Sequence, residues 1–450
     1  MPPFLAFLFG AGLVSWLFRR DFRGPSKVTA ALWIPFIWFF INCSRAVAQW
    51  LELAGGGGAY GGGASYEAGT PADAVANSIL LLAGLVILKR RQVRLGEVIR
   101  HNRWLALFFI FCLLAVFWSD YPFVSFKRWI KILGNPIMAL VLLSEADPEA
   151  AMTRLMKWSA YVFVPFSIVF IKYFPGWGRG FDVWSGLPSN TGVTTNKNIL
   201  GCVCFILGYF FIWQLLKVWP RRKEPGGWRE AGLCLGFLGG IGWLLHMAHS
   251  STSLASLGVG VAVMLVLGWR VFNSRNLGGL IISGVVVFVL ANWTLGIVDW
   301  AIAALGRDPT LTDRTKIWHE VLKFDINPIF GTGFEGFWLG ERRARLAEIF
   351  FWAPNQAHNG YLETYLNLGL VGLGLMLTLI IVAYRKAIQL MDSNLALARF
   401  RLGYLTAFVL YNWTEAAFKG LHPVWFVFFI VLMEYPARVD NHAPAEDMIT

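Results

Sequence analysis

The side chains best suited to chemistry lie in residues 353–369, Ala-Pro-Asn-Gln-Ala-His-Asn-Gly-Tyr-Leu-Glu-Thr-Tyr-Leu-Asn-Leu-Gly. His358 stands there among Asn355, Gln356 and Asn359, at the start of a long apolar run. A helix N-terminus disfavours an imidazolium, so a neutral His358 at that place could act as a general base near neutral pH. A lone histidine is usually structural. The polar company of this one, at the mouth of a polar-striped helix, points to function. Asn359, Glu363 and Asn367 recur every four residues, which sets them on one helical face. Inside a membrane such a stripe normally faces a bundle interior or a cavity.

A second group lies in 311–324, LTDRTKIWHEVLKF. Thr312 suits a helix N-cap, and Asp313 is favourable in the first turn. On a helical period Arg314 shares an apolar stripe with Ile317, Trp318 and Val321, while Lys316, His319, Glu320 and Lys323 lie opposite. An arginine on a buried face must find acceptors for five N–H donors. It can reach lipid phosphates along its aliphatic stem, or it can bind an anionic substrate.

The elements that position these residues are membrane helices. Of 450 residues, 56% are hydrophobic and only 15% charged, against roughly 25% charged in soluble domains. The apolar residues form uninterrupted runs long enough for a hydrocarbon core that needs about 20 residues per crossing. Backbone groups without water are satisfied there only by helix or closed barrel. A soluble protein would need one such run, and this chain has about 13. They lie near 4–18, 28–43, 74–88, 104–119, 130–143, 158–173, 198–217, 230–247, 252–271, 277–296, 361–383, 399–414 and 419–435. The first and fifth are short, so 12 is the alternative count. The expectation is an all-α integral membrane protein, one polytopic domain over 1–450, with no cleaved signal peptide.

The net charge of +12 is distributed by topology and does not indicate nucleic acid. Basic clusters recur in alternate loops: Arg19, Arg20, Arg23 and Lys27; Lys89 to Arg103; Lys217 to Arg229; Arg385, Lys386, Arg399 and Arg401. The positive-inside rule makes those loops cytoplasmic, together with the tail 436–450. The bilayer, with its anionic headgroups, is then a partner. Four segments fall on the outer side: a Gly-rich loop at 44–73, residues 119–129, residues 174–197, and one large late loop at 297–360. The run AGGGGAYGGGAS in the first reads as a linker, because no GK[ST] follows it. Cys112, Cys202, Cys204 and Cys234 lie within spans, and neither a disulfide framework nor a zinc site is supported.

The segment HNGYLETYLNLGLVGLGL, preceded by TDRTKIWHEVLKFDINPIFGTGF, resembles the signature of the bacterial O-antigen ligase and polymerase superfamily. The likeness is strongest to its exopolysaccharide-polymerase branch. It extends to GVTTNKNILG at 192–201, to HSSTSLA at 249–255 and to WSDYPFVSFKRWIK, so it covers about 104–430. The resemblance implies a GT-C-like membrane glycosyltransferase with a cavity open to the periplasm of the bacterial inner membrane, needing neither metal nor cofactor. Its donor would be a glycan on undecaprenyl diphosphate, and its acceptor a sugar hydroxyl on another lipid-linked repeat unit. In ligases the acceptor is the lipid A-core instead. Chain-length-control or export proteins would be further partners.

Such a reaction needs stabilisation of developing negative charge and deprotonation of an acceptor. Arg314 could clamp phosphate oxygens, with Lys197 adding a point charge and Asn198 beside it. His358 would be the base or would orient the attacking hydroxyl; Glu363 is the rival base. Asn359 would contact the glycan. Ligases carry an arginine in the serine-rich motif where Thr252 stands here, so that contact is missing or comes from Lys197, His249 or Arg128. The departure weakens the ligase alternative. A lipid-linked-oligosaccharide flippase is the alternative of another class; it would favour internal repeats and a mid-bilayer cationic cavity.

Overall fold

The computed structural model describes residues 1–24, 27–55, 69–182, 186–269, 275–280, 283–284, 294 and 314–435. The linker core 56–68, Thr312, Asp313, most of the run 277–296 and the tail 436–450 lie outside the described residues. Within them the chain is a multi-pass bundle of helices. Its two three-residue strands, Arg179–Phe181 and Pro188–Asn190, pair antiparallel in one loop.

Every apolar run other than 277–296 coincides with a helix. Among the described residues five helices are long and apolar enough to cross a membrane: Pro71–Arg90, Pro148–Tyr173, Lys197–Arg221, Gly227–Ala248 and Gly360–Asp392. A sixth arises if the pair Ala30–Cys43 and Val47–Ala54, bent by 70°, is one span. Arg103–Leu114, Ser251–Val266 and Pro423–Leu432 are apolar but shorter. Part of the difference from 12 or 13 runs is that Pro3–Phe22 and Leu395–Thr414 are unbroken but less apolar helices, and that most of 277–296 lies outside the described residues. Breaks in the backbone explain another part. The run 130–143, for example, starts in the last turn of Pro122–Ile132 and ends in Gly134–Leu143, with the helix restarting at Gly134.

The centre of the bundle is the helix Lys197–Val218, which packs on Gly227–Ala248 and Ser251–Val266; the latter packs on Leu395–Thr414. Their closest crossing uses small residues, since a side chain on Gly403 would meet Gly260 O and the Tyr209 hydroxyl. Every residue of Pro423–Leu432 is buried. Peripheral helices do the opposite: Phe4, Phe9, Ile79 and Leu82 on Pro3–Phe22 and Pro71–Arg90 are at least 60% exposed. An apolar surface of that extent is stable against lipid tails and not against water.

Ion pairs sort the loops into two rims. Arg20 and Lys157 meet Glu230, Arg91 meets Glu145, Arg154 meets Asp21, and Lys217 meets Glu149. All of these sit in or beside the basic clusters. At the other rim Arg45 donates to Trp177 O at 2.5 Å, Trp118 to Phe330 O at 3.2 Å, Arg128 to Glu335 O at 2.6 Å, and Arg342 to Asp120. Described parts of the four segments assigned to one side by charge are thus tied in pairs, the first to the third and the second to the fourth.

Candidate functional site

The helix Gly360–Gln389 anchors the site. Asn359 caps it, its side chain accepting from Tyr361 N and Leu362 N, both at 3.0 Å, which satisfies two of the orphan donors of a first turn. His358 precedes the cap in a left-handed conformation, φ 49°, a cost of about 1–2 kcal/mol for a residue with a Cβ. Such strain persists only where the surroundings hold it. Here they include Gln356, 3.4 Å from His358 Nδ1, and Glu415, whose Oε2 is 3.3 Å from the same nitrogen.

Glu415 is the residue that sequence reasoning missed. It follows the helix Leu395–Thr414 and links the two candidates that sequence did single out. Its Oε1 accepts from Arg314 Nη2 at 2.8 Å, and Arg314 Nη1 donates to the carbonyl of Thr414. The three side chains are 9–13% exposed. Burial is the largest influence on the Glu415 carboxyl and by itself would raise it. The Arg314 guanidinium and the His358 ring outweigh burial and hold it down to about 2. A buried Arg–Glu–His chain therefore sits at the rim. Arg314 lies on the face anticipated for it: Ile317 and Val321 are buried beside it, while Lys316 and His319 are exposed. Thr414 also receives Thr252, the two hydroxyls being 2.8 Å apart. Thr252 thus touches this site through Thr414.

The polar stripe after His358 does local structural work. Glu363 is buried, with Oε1 accepting from Trp338 Nε1 at 2.8 Å and Lys419 Nζ at 3.2 Å, and Oε2 from Ala357 N at 2.8 Å. Asn367 Oδ1 accepts from Phe337 N at 3.1 Å. The stripe therefore grips the late loop, fastening the residue next to His358, while Glu363 also lines a cavity. Gly369 makes the loop's approach possible. At φ 64° it kinks the helix, and a Cβ there would overlap the backbone of Ile329.

The remaining candidates are spread over the same rim. Lys197, at the start of its helix, pairs with Asp182, and Asn198 beside it is half-buried. His249 is exposed, with φ 48° and its ring 5.6 Å from that of His246. Arg128 lines a cavity of about 780 Å³ together with Trp338, Glu363 and Lys419. A second cavity of about 350 Å³ shares Lys419 with it and is bounded by Gln356 and His422. The structure thus joins Arg314 and His358 directly through Glu415, and sets Glu363 and Arg128 on the neighbouring cavity.

A family model described as O-antigen ligase matches residues 234–377. That stretch holds His249, Arg314, His358 and Glu363, and stops before Glu415. The chain is also 29% identical over 318 residues to the exopolysaccharide production protein ExoQ of Rhizobium meliloti (strain 1021), covering 67% of this chain and 68% of that one.

Proposed function

We propose that this membrane protein, whose residues 234–377 match a family model described as O-antigen ligase, is a polysaccharide polymerase. It moves a glycan from undecaprenyl diphosphate to a sugar hydroxyl of another lipid-linked repeat unit. The positive-inside rule puts the rim bearing His358 on the periplasmic side of the inner membrane. The observation that carries the reading is the buried chain Arg314–Glu415–His358. The name of the rhizobial relative, an exopolysaccharide production protein, fits the same reading.

In this mechanism Glu415 holds the Nδ1 proton of His358, as a carboxylate orients a catalytic imidazole. Nε2 then takes the proton of the acceptor hydroxyl. The hydroxyl oxygen bonds to the anomeric carbon as the bond from that carbon to the diphosphate oxygen breaks, and the electron pair leaves with the diphosphate. Two of the five N–H donors of Arg314 go to Thr414 and Glu415, and the others meet the developing phosphate charge. Glu363, with both oxygens occupied by protein donors, acts by positioning. Asn359 serves as a cap. Thr252 in the ligases' arginine position favours a polymerase over transfer to lipid A-core.

The test is reconstitution in liposomes with a purified lipid-linked repeat unit. Chain extension is expected without nucleotide or added metal. His358→Ala should slow it by roughly 10²–10⁴, the usual worth of a general base. Movement of the lipid across the bilayer without extension would sink the enzyme reading, and full extension by His358→Ala would sink the role of the histidine.

A further inference from the structure

The cleft next to the site holds a cation that the transfer chemistry leaves unused. The 780 Å³ and 350 Å³ cavities share the wall formed by Gln49, Asp73, Asn77, Lys131 and Lys419. The smaller one extends to Gln356, the neighbour of His358. Four cationic side chains line the larger cavity: Lys127, Arg128, Lys131 and Lys419. Arg128 is engaged by Glu335, at 2.6 Å to the carbonyl and 4.0 Å to the carboxylate. Lys419 donates to Glu363 and to Asn355 O. Lys127 lies over the Phe123 ring at 5.0 Å.

Lys131 differs from these three. Among the described residues it makes neither a hydrogen bond nor an ion pair, although it shares the cavity lining with Glu335, Asp73 and Arg128. Both carboxylates are committed elsewhere. Glu335 takes Arg128 and the amide of Gly420 at 2.9 Å; Asp73 takes the Thr70 hydroxyl at 2.7 Å and the amide of Ala48 at 3.1 Å. An ammonium carries three donors and no acceptor, and Lys131 is exposed to the cleft, so those donors are open to an anion that enters it. The smaller cavity offers a second donor: Asn42 Nδ2, on a residue of its lining, is buried and has no hydrogen-bond partner among the described residues. An oxygen-rich ligand would satisfy both.

We propose that Lys131 anchors an anion subsite, separate from Arg314, that binds an oxyanion carried by the lipid-linked glycan. The identification of the carrier rests on the function proposed above. Two sources share this chemistry: the carrier's diphosphate, and a carboxylate on a sugar of the repeat unit. A group held at Lys131 leaves the attached glycan to run along the cleft toward Gln356 and the acceptor base.

The experiment uses the purified full chain in detergent, with inorganic pyrophosphate and methyl glucuronide as probes. Acylation of Lys131 by an amine-reactive reagent is followed by peptide mass spectrometry on the unmodified sequence, so no variant need fold. Either probe should protect Lys131, with Lys89 of the opposite rim as the unprotected reference. Protection by pyrophosphate alone assigns the diphosphate, and protection by the glucuronide alone assigns the sugar. In calorimetry K131Q should weaken the protecting probe by roughly tenfold to a hundredfold, the worth of one charge-assisted hydrogen bond. K131R should largely restore it. Absence of protection by both probes, or a K131Q affinity equal to wild type, overturns the proposal. Protection without chain extension in liposomes would sink the polymerase reading alone; extension without protection would sink the subsite alone.

Discussion

Replacing Glu415 by glutamine keeps the shape of the side chain and removes the charge shared by Arg314 and His358. The consequence can be worked from the carboxyl itself. A group that ordinarily titrates near 4.5 is held to about 2, and each pH unit is worth about 1.4 kcal/mol. The charged form therefore contributes about 3 kcal/mol to folding, with little solvent screening at 9% exposure. Because the folded state binds its proton less readily than the unfolded one, this stabilisation is complete above pH 4.5. It drains away as pH falls toward 2. Denaturant unfolding in detergent, followed by tryptophan fluorescence, should show Glu415→Gln weaker by about 3 kcal/mol at pH 7. The variant should also lack the part of the acid destabilisation between pH 4.5 and 2 that wild type shows. Arg314→Met alone strands a buried carboxylate and should cost about 3–5 kcal/mol. Combined with Glu415→Gln it should cost less than the two single losses summed, by about 1 kcal/mol or more. Equal unfolding of Glu415→Gln and wild type at pH 7, with the same acid profile, would refute the reasoning.

Two further perturbations test the scaffold. Glu363→Gln breaks the buried pair with Lys419 and loosens the grip on Ala357 N, so it should cost about 3 kcal/mol and speed limited proteolysis of 338–357. If stability and cleavage both stay at wild-type levels, Glu363 does not position the loop. Gly369→Ala places a Cβ against Ile329 at a left-handed position and should cost about 1–3 kcal/mol. Gly374→Ala, with nothing within 4 Å of its Cβ, should be neutral or stabilise by up to about 1 kcal/mol. Equal behaviour of the two alanines in the same melt would mean that the kink at Gly369 is unimportant.

Much of the site was legible along the chain because it obeys helical periods. The shared stripe of Arg314, Ile317 and Val321 follows from 3.6 residues per turn, and so does the placing of Asn359, Glu363 and Asn367 on one face. Their partners do not follow. The stripe was expected to look into the bundle or a cavity; its residues are buried and Glu363 lines a cavity, while Asn367 and Glu363 also receive the amides of Phe337 and Ala357. Those donors come from a loop whose fold depends on Gly331, Gly333 and Gly369 in left-handed conformations. Within the described residues the apolar runs likewise mark where helices form, but not where the backbone breaks them.

The sequence by itself determined that this chain lives in a membrane, since its runs of apolar residues can hide their backbone groups only as helices. It also determined which loops share a rim, because lysine and arginine are biased to one side, and it exposed His358 and Arg314 as candidates. Only the tertiary structure decided what joins them. Glu415 lies 57 residues from His358 and 101 from Arg314, too far for any local pattern. The contact exists because the helices Gly360–Gln389 and Leu395–Thr414 pack side by side and bring the end of one to the start of the other. The cleft that Lys131 lines is likewise assembled from residues far apart along the chain, among them Gln49, Asp73, Glu335 and Lys419.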